Sequence, residues 1–258
     1  MRTISIMMLA TAALLCSAQA LADDNCGDGY TTSNFKRSDL VTIKKNVSAI
    51  AAALGTPPAP YARESENWQL PTYACQGKTG FRPVSIDYNM RLTTDVQQKK
   101  LAAEYQQKLM AAEAKGDMQA VMQITQEYQK VALQQSSANQ GNSPIGVDIS
   151  INSTDSMTID PGAVLRDGAG FIALKQPGDA SSGTETVNIY FDKLELKDAD
   201  DAASFDEGYD ATVPNRLAMI HARININGPT AQVEAMVKRM NTGAVLDQLS
   251  EKRTRLKD

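Results

Sequence analysis

The chain has 258 residues and a formal net charge of −4 at pH 7. A chain of this length can bury a substantial core, as one large domain or two small ones. The mild acidity gives no support to a nucleic-acid partner or an anionic membrane surface. No apolar run after residue 22 approaches the ~20 residues that an integral membrane segment needs.

The first residues predict a secretory signal peptide. Arg2 supplies a positive charge, residues 4–15 form an apolar core, and Ala20-Leu21-Ala22 is a small-residue cleavage site. We therefore expect residues 1–22 to be removed and the mature chain to begin at Asp23. The expected destination is the periplasm or the extracellular medium.

Two cysteines remain after removal of the signal peptide, which contains Cys16. Cys26 and Cys75 form an even pair in an oxidising compartment, so we expect a disulfide bond between them. A redox or metal-binding role would need a close partner, such as a Cys-x-x-Cys spacing, and the sequence has none. The pair is therefore predicted to be a structural staple.

Residues 23–83 are interpreted as an N-terminal segment with one helix and a disulfide-tethered loop. Over residues 38–54 apolar side chains recur at spacings of three and four, which predicts an amphipathic helix, and Gly55 can end it. Residues 61–80 show no clear periodicity. We interpret them as an ordered loop tethered through Cys75.

Two strictly alternating segments, 84–92 and 145–152, bracket a long helical pattern. Each is typical of a strand with one buried and one solvated face. The chain between them must leave a sheet and return, so we expect the two strands to pair. Residues 94–140 are then an inserted antiparallel two-helix arm, divided at residues 115–117 by a helix-ending glycine and a helix-starting aspartate.

The second helix of this arm has nearly heptad spacing, which is typical of a coiled coil, and glutamines dominate the solvated faces. A bare two-helix arm buries only one seam, so its stability is marginal unless something covers its other apolar residues. Docking to a partner, self-association and folding back on the sheet are equally open. The candidate partner-binding residues are Tyr105, Leu109, Met118, Met122 and Tyr128.

The chain beyond residue 145 predicts mainly strands. In chain order the predicted elements are a hairpin at 163–174, a strand at 186–197 with a bulge at Asp192-Lys193, a strand at 216–227 and a helix at 229–241.

The predicted fold class is α+β. Residues 84–258 are expected to form a mainly antiparallel sheet of about five or six strands, with helices 38–54 and 229–241 packed on one face and the arm inserted between two strands.

The sequence contains no catalytic motif, and we predict no catalytic, cofactor-binding or metal-binding residue. His221 is the only histidine, and its alternation phase places it opposite the aliphatic face of its strand, which disfavours a buried base. The acidic stretch at 198–210 is the best metal candidate. It fails the EF-hand pattern, since Tyr209 stands where the bidentate glutamate should be, so we predict a solvated loop.

Three functions follow as hypotheses. The leading one is a non-catalytic exported protein that binds another envelope protein or itself, or serves as an assembly accessory factor. The second is a small-molecule or lipid-binding module with an apolar cavity between sheet and helices. The third is a hydrolase whose carboxylates only the tertiary structure brings together. Aromatic residues make up only 5% of the chain, which makes a carbohydrate cleft less attractive.

Overall fold

The computed structural model describes residues 26–94, 96–139, 143–153, 156–176, 183–196, 204–206, 211–252 and 254–255. The predicted signal peptide lies outside these residues, and so does most of the acidic stretch at 198–210.

The described residues form helices and strands in a mixed order. In chain order they are β1 (Thr31–Asn34), α1 (Arg37–Ala53), β2 (Ala62–Gln69), β3 (Tyr73–Gln76), β4 (Ile86–Thr93), α2 (Val96–Ala114), α3 (Met118–Asn139), β5 (Ile145–Ile151), β6 (Ser156–Thr158), β7 (Val164–Gly168), β8 (Phe171–Lys175), β9 (Thr184–Asp192), β10 (Ser204–Asp206), β11 (Ala211–Thr212), β12 (His221–Pro229), α4 (Thr230–Arg239), α5 (Thr242–Leu246) and β13 (Thr254–Arg255).

The main sheet has seven strands in the order β2-β4-β5-β12-β9-β8-β7, and every neighbouring pair is antiparallel. This arrangement with packed helices confirms the α+β class, with one or two strands more than expected. The predicted pairing of the two alternating segments is confirmed too. Ile86 lies opposite Ile151 and Leu92 lies opposite Ile145, so the chain leaves and re-enters the sheet at one place.

One face of this sheet is covered by helices. Tyr88, Ile149, Ile224 and Ile189 lie side by side across β4, β5, β12 and β9, and all four are buried. They belong to one continuous apolar cluster with side chains of α1 and α4, which confirms the predicted placement of both helices on one face. Each fully buried aliphatic or aromatic side chain contributes about 1.5–3 kcal/mol to the free energy of unfolding.

The opposite face is divided into two parts. Near β8 and the end of β9 a smaller apolar cluster covers it, formed by Ile159, Ile172, Leu174, Tyr190 and Leu196. Across β4, β5 and β12 the same face carries the polar side chains that alternate with the buried ones along each strand. The sheet is therefore apolar on one side and largely polar on the other.

The loop interpretation of residues 61–80 is wrong. Residues 62–69 form β2, which pairs with β4 at the edge of the main sheet, and residues 73–76 form β3, which pairs with β1 in a separate ribbon. An edge strand with exposed side chains in both directions has no alternating pattern, and β2 is exposed along most of its length. The missing periodicity therefore reflected exposure and not irregular backbone.

The bulge predicted at Asp192-Lys193 is also wrong. β9 ends at Asp192, whose buried carboxylate accepts hydrogen bonds from the backbone N–H groups of Leu194 and Glu195, at 2.8 and 3.0 Å. A short aspartate side chain that accepts these bonds stabilises a turn. The change of phase after residue 192 is therefore the end of a strand.

Candidate functional site

The helix pair, defined here as α2, α3 and the connection at 115–117, has the turn that the sequence predicts. Gly116 has a φ of 68°, a left-handed conformation that ends α2. The carboxylate of Asp117 accepts a hydrogen bond from the backbone N–H of Ala120, at 3.0 Å, and so caps α3.

The predicted partner-binding residues fall into two groups in the structure. Tyr105 and Tyr128 pack on each other, with ring centroids 5.4 Å apart, so they lie in the seam between the helices. Leu109 is half-buried. Met118 and Met122 are 67% and 60% exposed and lie one turn apart on α3. Their role in binding stays a prediction.

Sequence reasoning missed a third exposed methionine. Met110 is 56% exposed and lies in the last turns of α2, close in sequence to the connection that leads to Met118. Its position directly after the half-buried Leu109 could have indicated exposure, since adjacent helical residues differ by about 100° in direction. The helical turns on either side of the connection at 115–117 therefore expose three large, flexible apolar side chains.

The start of the helix pair, and Ser143 in the chain that follows the pair, both contact the segment that includes β2. The carboxylate of Glu64 forms ion pairs with Lys99 at the start of α2 and with Arg91 of β4, the latter at 3.2 Å. The buried hydroxyl of Tyr61 donates a hydrogen bond to the carbonyl oxygen of Ser143, at 2.9 Å. Burial raises the pKa of Tyr61 above its ordinary value of 10.0.

The polar face of the main sheet carries a row of amides and one carboxylate. Strand pairing aligns Asn67, Asn89, Asp148, Asn225 and Asn188 across β2, β4, β5, β12 and β9. The Asn89 amide donates to the Asp148 carboxylate at 2.5 Å, and the Asn225 amide donates to the Asn188 carbonyl at 2.7 Å. The row is solvated at Asp148 and buried at Asn188.

An open concavity of about 390 Å³ lies on this polar face. Its floor includes Gly146 of β5, which lies between Arg91 of β4 and Asn227 of β12. Its polar lining residues come from four strands and are Ser65, Glu66, Asn67, Asn89, Arg91, Asp148 and Asn227. The sequence alone could not group these residues, since their proximity depends on the register of four strands.

The prediction that its strand phase disfavours burial of His221 is wrong. The residue is only 1% exposed, and its Nε2 lies 2.7 Å from the carbonyl oxygen of Ser153. Because a carbonyl oxygen only accepts hydrogen bonds, Nε2 carries the proton in this contact. Alternation places His221 on the correct face of β12. It does not show that this end of the polar face is covered.

The two cysteines lie at disulfide distance, as predicted. Their sulfur atoms are 2.11 Å apart and their Cα atoms 5.5 Å apart, and the bond joins the start of the described chain to β3.

Among the described residues, no three His, Cys, Asp or Glu side chains are grouped so that they could hold a metal ion. In the same part of the chain, no helix is both long and apolar enough to cross a membrane.

One charged cluster joins the edge of the helical layer to the sheet. Lys175 of β8 forms ion pairs with Glu234 of α4 at 2.6 Å and with Glu185 of β9 at 2.9 Å. Hydrogen bonds to Glu234 and to Glu185 raise the pKa of Lys175 above its ordinary value of 10.5. This cluster ties α4 to the sheet, and its groups are engaged with one another.

The chain matches no protein-family model, no curated protein and no solved structure.

Proposed function

We propose that this chain is an exported, non-catalytic protein of the bacterial envelope, most simply periplasmic, that binds another protein through the end of its helix pair. The observation that carries the proposal is the exposure of Met110, Met118 and Met122. Methionine is flexible and polarizable, and it is over-represented on surfaces that adapt to partner proteins. Three of the five exposed large apolar side chains among the described residues lie on the helix pair.

Export is supported by the signal-like sequence at residues 1–22 and by the two cysteines at disulfide distance. A non-catalytic role is supported by the position of His221, which is buried and holds the Ser153 carbonyl. A histidine in that position is not available to activate a nucleophile at the surface.

The test is site-specific photo-cross-linking in the native envelope. A photoreactive residue replaces Met118 or Met122, and the matched control position is Val41 of α1, which is 60% exposed on another element. We expect adducts with one envelope protein from positions 118 and 122 and none from position 41. Equal labelling from all three positions would contradict docking through the helix pair.

A second experiment separates contact from chemistry. With the photoreactive residue placed instead at Glu113, an exposed position near the connection, Met110, Met118 and Met122 are changed to glutamine. These changes keep side-chain length and helix propensity but remove the apolar surface, so we expect loss of the adducts. Changing the same three residues to leucine keeps the surface apolar and should preserve them. Binding that survives the glutamine changes would exclude these methionines as the contact.

The helix pair can also be removed. Because Leu92 lies opposite Ile145, a short turn can replace residues 95–143 and leave the strand pairing intact. We expect the shortened protein to fold and to lose its partner. A shortened protein that retains every cross-linked partner would place the docking surface elsewhere.

The hydrolase alternative has its own test. Purified protein incubated with ester, peptide and glycan panels should leave every substrate unchanged if the chain is non-catalytic. Turnover that is lost on changing Asp87 or Asp148 to alanine would instead establish a carboxylate-dependent hydrolase on the polar face.

A further inference from the structure

Gly146 has no structural reason to be a glycine. It lies within β5, which is paired on both sides, and its φ is outside the left-handed region. A Cβ atom added at this position would meet no other atom within 4 Å. Glycine weakens the interior of a strand, and it often marks a site where a ligand approaches the backbone closely.

Several residues around Gly146 are of types that are uncommon in β-strands. Asparagine and aspartate are depleted in strands, yet Asn67, Asn89, Asp148 and Asn227 all line the concavity from strand positions. Residues that violate a local preference without improving packing are expected at functional sites. The open glycine and the polar lining therefore indicate, independently, that something binds here.

The lining defines the chemistry of the ligand. Two residues with carboxylates, Glu66 and Asp148, and one with a guanidinium line the concavity, and the other polar side chains are neutral. The carboxylate of Glu66 is paired with Arg63, and Arg91 is paired with Glu64. This balance favours neither a polyanion nor a polycation, and the polar lining does not favour a lipid. Amides and carboxylates present donors and acceptors that match neighbouring hydroxyl groups.

We propose that this concavity binds an uncharged oligosaccharide segment, which lies over Gly146 and forms hydrogen bonds with Asn89, Asp148 and Asn227. The site lies on the sheet and is separate from the exposed methionines, so this inference does not depend on docking through the helix pair. None of the described lining residues is aromatic. Binding therefore rests on hydrogen bonds without ring stacking, and its dissociation constant should be on the order of 1 mM.

The test uses amide proton–nitrogen correlation spectra of the isotopically labelled full chain. Chitotriose, maltotriose and mannotriose are added separately up to about 20 mM, a range that detects millimolar binding. Dextran sulfate and a neutral peptide serve as probes of other classes. We expect at least one neutral trisaccharide to shift the amides of Gly146 and its neighbours on β4 and β12, and the other probes to leave them unchanged.

Two variants locate the binding. Gly146→Val fills the space over the backbone where a Cβ meets nothing, so the protein should fold and binding should be abolished. Asp148→Ala should weaken binding about tenfold or more, as expected for a hydrogen bond to a charged group. Gln69→Ala changes an exposed residue of β2 outside the lining and should have no effect.

Three results would overturn the proposal. They are spectra that no neutral trisaccharide changes, binding that persists in a folded Gly146→Val protein, and shifts at this face caused by dextran sulfate or the peptide alone. Loss of binding in the methionine-to-glutamine protein would also contradict it, since the two sites would then not be separate.

Discussion

The two faces of the main sheet are made by the same strands, yet different forces determine their side chains. On the covered face Tyr88, Ile149 and Ile224 are fixed by close packing against helices. On the polar face Asn89, Asp148 and Asn227 line the open concavity and form hydrogen bonds with side chains of neighbouring strands. The difference teaches that consecutive residues of one strand can be held by apolar packing on one face and by exposed hydrogen bonds on the other.

The largest expected effect on the free energy of unfolding comes from a substitution on the covered face. Ile149→Ala removes a fully buried side chain and leaves a cavity, so we expect the free energy of unfolding to fall by about 3–4 kcal/mol. Its neighbour Asp148→Ala should change it by less than about 0.5 kcal/mol, since exposed substitutions are usually small. Urea denaturation measures both. Similar losses would remove the distinction between the faces.

The next effect concerns an asparagine that is structural. Asn152 has a φ of 53°, and its buried side chain bonds to the carbonyls of Val84 and Ala218 and to the N–H of Ile220. Asn152→Ala leaves these buried groups without their partner, so stability should fall by about 3 kcal/mol. Asn89→Ala on the open face is the matched control. A small effect at Asn152 would show that water replaces its side chain.

Alkaline pH should lower the free energy of unfolding, because Tyr88 is buried on the covered face. Burial raises the pKa of Tyr88 above its ordinary value of 10.0, and the contact with Glu66 raises it against the opposing charge of Arg63. The stabilising contribution is therefore complete below the unfolded value and is lost as pH rises through the folded value. Unfolding followed from about pH 8 to about pH 11 should show the decrease above about pH 10.

Tyr88→Phe is the control for this pH effect, since it cannot ionise and should show a shallower decrease. Tyr61 and Lys175 also have raised pKa values and will contribute to the decrease that remains. An identical pH dependence in the wild-type and Tyr88→Phe proteins would rule out Tyr88 as a cause.

The smallest expected effect is a gain. Gly146→Ala on the polar face should raise the free energy of unfolding by about 0.5 kcal/mol, because alanine reduces the freedom of the unfolded chain and its Cβ meets no other atom. Thermal unfolding at fixed pH measures the shift. A clear loss of stability would show that the glycine is structural, which would weaken the argument for a ligand above it.

The sequence predicted those elements in which burial differs sharply between faces. Alternation identified β4 and β5 because one side of each is fully buried, and helical spacing identified α1 for the same reason. It failed for β2, where Ser65, Glu66 and Asn67 are exposed in succession. Periodicity reports a contrast in burial, so a strand at the sheet edge gives no signal.

The candidate sites show the same limit. Heptad spacing groups Met118 with Val121 and Tyr128, so the exposure of Met118 does not follow from helical phase. The concavity around Gly146 could not be predicted either, since it depends on which residues of β4 and β12 lie beside it. The burial of His221 was equally hidden, because the phase of a strand does not reveal what covers its end.

The insertion of the helix pair between β4 and β5 has a mechanical consequence. Tension applied to the helices along the strand direction enters the sheet at Leu92 and Ile145, at the same end of two adjacent strands. To yield, both strands must slide past β2 and β12, so the hydrogen bonds on both sides bear the load at once. The hydrogen bonds between these strands would therefore resist, in shear, a force that pulls on the helices. The helix pair would separate from the sheet only if this strand pairing broke.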